Sequence, residues 1–120
     1  MKFKFFILIS LFFSLLTQAT VSINDSHSKL NFYPESNEIN ANSENILTIE
    51  VIMDKGWHTY WINPGDSGDP ATFEWELPEG FQITGPIWPS PDKIPFPPLM
   101  TYGFDDRVIL PFILEAPKII

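Results

Sequence analysis

The 120-residue chain has no cysteine. No disulfide can staple it, so it must be held by its core, and its own residues cannot supply the thiolate that thiol chemistry requires. Basic residues are scarce: 7 Lys and Arg stand against 15 Asp and Glu, a net charge of −8. That balance argues against nucleic acid, whose phosphates would be repelled, and against anionic lipid surfaces. No Gly-rich phosphate loop is present, and no useful 3.6-residue periodicity appears outside the N-terminus, so helices are not expected. No apolar run reaches the roughly 20 residues that cross a bilayer as a helix. The glycines number 6, all at or after Gly56.

The N-terminus has the order of an export signal. Lys2 and Lys4 form a basic n-region, Phe5 to Leu16 is apolar apart from Ser10 and Ser14, and Thr17-Gln18-Ala19 supplies small residues before a cut. The expected organisation is a signal peptide over 1–19 and one β-domain over 20–120. Without Lys2 and Lys4 the mature chain keeps five basic against 15 acidic residues, which favours solubility.

From Ile46 the pattern is that of strands. Leu47, Ile49, Val51 and Met53 alternate with Ile46, Thr48, Glu50 and Ile52, period two with β-branched enrichment. Further strands are expected over 29–33, 57–62, 72–77, 81–87 and 107–114, with turns at Asp54-Lys55-Gly56 and Pro78-Glu79-Gly80. Between Pro86 and Pro98 six prolines fall in 13 residues; lacking N–H groups, they predict a loop and exclude an internal strand. The class is all-β, with sandwich-like spacing. The segment 107–114 is apolar on both faces, as central strands are, yet the sequence stops six residues later. About six strands are countable, so the expectation is an incomplete sandwich whose remaining strands lie downstream.

The run Gly56 to Pro70, "GWHTYWINPGDSGDP", concentrates aromatic residues before a sharp turn. Trp61, like Trp75, is expected in the core, where a buried aromatic contributes on the order of 2–3 kcal/mol. Trp57 and Tyr60 lie on opposite faces of one strand, so at least one points inward. His58 lacks a second histidine at ligand spacing, His27 being in the polar N-terminal stretch, and Asp66 and Asp69 lack calcium-loop spacing; no metal is expected. Asp66-Ser67 near His58 has no nucleophile elbow beside it, so hydrolase chemistry is not supported. Asn63-Pro64-Gly65-Asp66-Ser67-Gly68 is a corner: Pro64 presets φ, Gly65 and Gly68 accept positive φ, and Asn63 and Asp66 can accept from backbone N–H groups.

These residues resemble a known family. Lys55 to Gly68 matches the "GWHTYW.NPGDSG" run of the N-terminal periplasmic domains of DsbD-like and ScsB-like thiol–disulfide interchange proteins. Trp75 to Phe81 is similar to its "W.LP.GF", Trp88 to Pro91 to its "WP.P", Tyr102-Gly103-Phe104 to its "YGY", and Val108 to Pro111 to its "V.LP". The resemblance covers 46–114. It implies an immunoglobulin-like β-sandwich that takes reducing equivalents from a membrane electron-transfer domain and passes them to periplasmic thiol proteins. It implies no cofactor and no metal. In the family a cysteine pair beyond the "V.LP" strand does the exchange, shielded by a cap loop. This chain departs from the pattern in having no cysteine. Residues 86–100 stand where the cap loop would be, with Trp88 and Phe96 as its candidate residues. The remaining motif positions, Gly56, Trp57, His58, Tyr60, Trp61, Asn63, Pro64, Gly65, Asp66, Gly68, Tyr102 and Gly103, are mainly structural.

Three function classes stay open: part of a redox interchange domain whose thiols lie outside these residues, a non-redox docking module, and a carbohydrate- or peptide-binding sandwich using Trp57, Trp88 and Phe96.

Overall fold

The structure is a computed structural model that describes residues 2–5, 21–24 and 26–119. Its strands are β1 (Lys2–Phe5), β2 (Val21–Asn24), β3 (Ser28–Pro34), β4 (Glu44–Met53), β5 (His58–Gly65), β6 (Thr72–Trp75), β7 (Gln82–Thr84), β8 (Asp92–Phe96), β9 (Leu99–Asp105) and β10 (Arg107–Glu115). No helix occurs among the described residues. One antiparallel sheet has the order β2-β3-β4-β10-β7 and a second the order β5-β9-β8, while β6 pairs in parallel with β1. The architecture is an all-β, immunoglobulin-like sandwich. Of residues 1–19 only the β1 stretch is described; the apolar run after it and the expected cut at Ala19 lie outside the described residues.

The core follows from period-two alternation. Leu47, Ile49, Val51 and Met53 of β4 and Val108, Leu110, Phe112 and Leu114 of β10 point to one side and are buried. Phe104 of β9 closes the cluster from the second sheet, with Trp61, Phe73, Trp75 and Trp88 packed partly buried against it. Phe73 and Trp75 both meet the Phe112 ring edge-on at 5.0 Å between centroids, the favoured geometry of aromatic pairs.

Two expectations are corrected. β10 is central, as its two apolar faces require, but its neighbours come from within the chain: β4 pairs along Arg107 to Glu115 and β7 along Ile113 to Glu115. The pairing partners of Arg107–Glu115 on both of its edges therefore lie within the described residues. Pro111 is tolerated there because β7 ends at Thr84, before the position of the missing N–H; the Pro111 carbonyl still accepts from Ile87 N at 2.8 Å. The proline-rich stretch is not all loop either. Asp92–Phe96 forms β8, paired with β9 from Asp92↔Gly103 to Phe96↔Leu99. β8 is an edge strand, where a proline costs no ladder bond on its outer side.

The alternation of β4 is interrupted at Glu50, which lies on the outer face yet is only 6% exposed. Asn31 Nδ2 donates to Glu50 Oε1 at 2.8 Å and Tyr33 OH donates to the same oxygen at 3.2 Å. Arg107 Nε donates to Oε2. Ser22 Oγ donates to Asn31 Oδ1, so the network ties β2, β3, β4 and β10 together. The Asn31 and Arg107 hydrogen bonds hold the Glu50 carboxyl below the usual carboxylate range, against the opposing effect of burial. A depressed folded value means the stabilisation is complete above the ordinary carboxylate range and is lost as pH falls through the folded value. Acid titration of thermal stability is therefore expected to show a loss of about 1–2 kcal/mol that Glu50→Gln abolishes. Equal acid slopes in both proteins would remove Glu50 as the cause.

Candidate functional site

The aromatic run and its corner form one unit with the β8–β9 hairpin. β5 follows β9 in register from His58↔Asp105 to Tyr60↔Gly103, then bulges, so that Gly65 faces Thr101. The bulge absorbs Trp61, Ile62, Asn63 and Pro64 and throws the chain over the sheet edge. Asp66 then grips the hairpin at Met100 in both directions. Asp66 N donates to Met100 O at 3.0 Å, and Met100 N donates to Asp66 Oδ2 at 2.7 Å. Ser67 Oγ and Thr101 Oγ1 are 3.2 Å apart, a hydrogen bond on the buried side of the same strand.

Glycines permit this closeness. Gly68 has φ +92°, and a Cβ there would sit 2.2 Å from the Tyr60 ring. The ring therefore covers bare backbone, which explains the spacing between Tyr60 and Gly68. Gly103 is buried beneath β5, where a Cβ would meet the Thr59 carbonyl oxygen at 2.1 Å. Gly65 lies against Met100 O and the Tyr102 ring, whereas Gly56 serves its turn with nothing within 4 Å. The two halves of the motif, 56–68 and 102–103, are thus the two sides of one contact.

The remaining motif side chains are divided. His58 Nε2 is 3.3 Å from Tyr60 OH, and their rings meet edge-on. Trp61 packs partly buried on the core. Trp57 precedes β5 and is 50% exposed, stacked on His27 with ring centroids 3.6 Å apart. Of the pair Trp57 and Tyr60, Tyr60 is therefore the more covered. Asn63 is exposed and Pro64 half-buried at the bulge. Trp88 stacks on Phe104 at 6.3 Å and belongs to the packing, while Phe96 at the hairpin tip is 76% exposed. The β5–β9 register puts Trp57 at the Asp105 end of the sheet and the Phe96↔Leu99 pair at the other. Trp57, Trp88 and Phe96 therefore do not form one stacking platform.

The sequence reading missed Met100 and Thr101 as the hairpin partners of Asp66 and Ser67. Their signal is position alone, directly before Tyr102-Gly103. An open cleft of about 450 Å³ lies beside the unit, lined by Ile62, Ala71, Phe73, Trp75 and Trp88 with Phe112 in its wall. Among the described residues no group of three His, Asp or Glu side chains is placed to hold a metal ion, and no helix is long and apolar enough to cross a membrane. The chemistry this arrangement supports is presentation: an apolar tip, Phe96-Pro97-Pro98-Leu99, exposed on a hairpin whose base is fixed.

Asp66→Ala is expected to cost about 1 kcal/mol, at the low end for a bond to a charged group because the site is solvated. Hydrogen exchange at the Met100 and Thr101 amides should accelerate. Unchanged exchange at both would show that the carboxylate does not secure the hairpin.

Residues 30–119 match the model of the family described as thiol:disulfide interchange protein DsbD, N-terminal. No curated protein matches the chain. The fold is similar to the crystal structure of the N-terminal periplasmic domain of ScsB from Proteus mirabilis, with a TM-score of 0.56 and 20% identity, over 82% of this chain and 38% of that one. The chain thus spans well under half the length of the domain it resembles. With the family match extending over β3 to β10 and including the whole corner–hairpin unit, the chain belongs to the family of DsbD N-terminal domains.

Proposed function

We propose that the chain is the N-terminal part of an exported, periplasmic thiol–disulfide interchange domain. In this reading residues 1–19 are a signal peptide, and the domain relays reducing equivalents from a membrane electron-transfer domain to periplasmic thiol proteins. The observation that carries it is the family match over 30–119; the periplasmic location described for the similar ScsB domain supports the compartment. The 120 residues hold no cysteine, so the exchanging thiols come from outside them, and these residues contribute the scaffold and the hairpin that stands beside the exchange site. Trp88 braces the hairpin's approach from the core, and Phe96 is the ring available to cover a neighbouring thiol.

The missing cysteines favour a second reading, a periplasmic docking module that keeps the sandwich without redox chemistry. One experiment separates the two. The chain alone is expected to show no dithiol–disulfide exchange with a reduced thioredoxin-like protein. The gene product extended through the coding sequence after Ile120 is expected to show it, and to lose it when its cysteines are changed to serine. An extended product without a cysteine pair, or inactive with one, leaves the docking module.

A further inference from the structure

β10 is apolar on both faces, and the core uses only one of them. Val108, Leu110, Phe112 and Leu114 point into the core, while Ile109, Pro111 and Ile113 point the other way and are half-buried. Beside them on this outer face stand Ile46 and Ile52 of β4 and Tyr33 of β3, with Ile46 43% and Tyr33 39% exposed. The described strands that close the core lie on the opposite side of the sheet. A sheet face turned to solvent ordinarily carries polar residues; this one carries an apolar strip. The register divides its charges between the two ends. At one end Lys29 and Arg107 flank Ile52. At the other Glu44 stands directly opposite Glu115, and Glu35, whose carboxylate accepts from Ile46 N, adds a third acid. Between the ends lie the rows Tyr33–Thr48–Pro111 and Ile46–Ile113. Glu44 and Glu115 are both exposed. Like charges facing each other across strands weaken a sheet, and among the described residues no ion pair neutralises either one.

We propose that this face is the interface of a homodimer, with a second copy of the chain related by a two-fold axis that crosses the strands at the Tyr33–Thr48–Pro111 row. Such an axis lays each strand antiparallel on its own counterpart. It brings the Lys29 and Arg107 end of each copy over the Glu35, Glu44 and Glu115 end of the other, and the two apolar strips over one another. A two-fold interface needs a patch that complements itself, and opposite charges at the two ends of an apolar strip meet that need. A wholly acidic partner would leave the glutamates facing like charge, and a wholly basic one would do the same to Lys29 and Arg107; a second copy satisfies both ends. Arg107 is already held by Glu50, so little further ordering is needed to place it. Rows of side chains and strand spacings over β2, β3, β4, β10 and β7 make a face of roughly 27 × 19 Å, on the order of 500 Å² per copy. A dimer burying about 1,000 Å² in all stands at the lower limit of specific interfaces and is weak. The chain's net charge of −8 opposes association at long range, but at physiological salt charges more than about 8 Å apart are screened, whereas the two ends meet in contact. The inference rests on neither the export reading nor the thiol reading.

The test follows the mass of the protein, as purified from cells, by analytical ultracentrifugation over a range of concentrations at physiological salt. A monomer–dimer equilibrium is expected, half-associated at about 10–100 μM. Ile46→Glu, at an exposed position in the apolar strip, should weaken it at least about tenfold in a protein whose melt at monomeric concentration matches the parent. Lys29→Glu and Glu44→Lys should each weaken self-association at least about threefold, since each change acts twice in a symmetric dimer. Mixing these two variants should restore association, because the new glutamate of one then meets the new lysine of the other. Should Ile46→Glu fail to fold, the charge-reversed pair decides alone. A monomer at every concentration, open-ended aggregates in place of a dimer, association untouched by the substitutions, or a mixture no tighter than its components would each overturn the proposal. The gene product extended past Ile120 is measured in parallel. If it stays monomeric while the shorter chain dimerises, its own chain covers the face and the proposal fails. The exchange assay reads thiol transfer and is decided separately from any of these masses.

Discussion

Phe112→Ala is expected to lower the unfolding free energy by about 3–5 kcal/mol, the range for emptying a fully buried aromatic site. Phe112 is 1% exposed, and its ring is where the two layers meet. Phe73 and Trp75 both stand edge-on against it at 5.0 Å. Removing it therefore strips contacts from β6 as well as from β10. The cavity cannot collapse easily, because β10 is held on one side by β4 along nine residues and cannot slide toward β6. Trp75→Ala should cost less, since Trp75 is only partly buried and leaves part of its space to solvent. Denaturant melts of both variants give the comparison. A Phe112→Ala midpoint within error of the parent would mean the sheets are not joined through this ring.

The second large effect is expected at Gly103. A Cβ there would lie 2.1 Å from the Thr59 carbonyl oxygen and 3.1 Å from Tyr60 Cα. Those atoms are backbone of the neighbouring strand, so no side-chain rotation relieves the clash. Gly103→Ala must push β5 away from β9 in the middle of their paired stretch. The cost should be about 3 kcal/mol, the upper end of ordinary overpacking, because strand separation replaces side-chain repacking. Amide exchange should rise first at Thr59, Tyr60 and Phe104, the residues flanking the contact. In the proposed function this variant also disconnects the Asp66 grip from the hairpin it positions, so Phe96 would lose its fixed place. A melt unchanged from the parent, with exchange at those three amides unaltered, would show that β5 and β9 pass farther apart than the structure has them.

Much of the fold can be read along the chain because β-alternation is local. Leu47, Ile49, Val51 and Met53 announce an inward face two residues at a time, and the same rule marks Val108, Leu110, Phe112 and Leu114. The corner at 63–68 is legible for a similar reason: Pro64 and Gly68 restrict or release φ within their own few residues. β8 was missed because proline weighs against a strand wherever it occurs, and whether that matters depends on having an edge position, which a sequence does not state. The neighbours of β10 were missed for a related cause. A sequence reports that a strand is apolar on both faces, but pairing with β7, whose described length is three residues, depends on contacts far apart in the chain. Glu50 shows a third case. A lone acid between Ile49 and Val51 looks like an ordinary outward residue, and its burial follows from Asn31 and Tyr33 of β3 and Arg107 of β10 converging on it from the strands on either side.

The sequence by itself determined the all-β class, the inward faces of the long strands, the acidic net charge, the absence of a thiol from these residues, and the ordered motifs that mark the family. Each of these is a property of residue type or of spacing within a few positions. Tertiary structure alone decided that the two halves of the motif touch, through Asp66 on Met100 and Thr59 over Gly103, and that Trp57 and Phe96 stand at opposite ends of their sheet. It also decided which strand lies at an edge and what β6 pairs with. Those outcomes depend on strand register and sheet order, which are set by the simultaneous packing of segments far apart in the chain, as Asn42 and Pro117 are, and no local pattern encodes them.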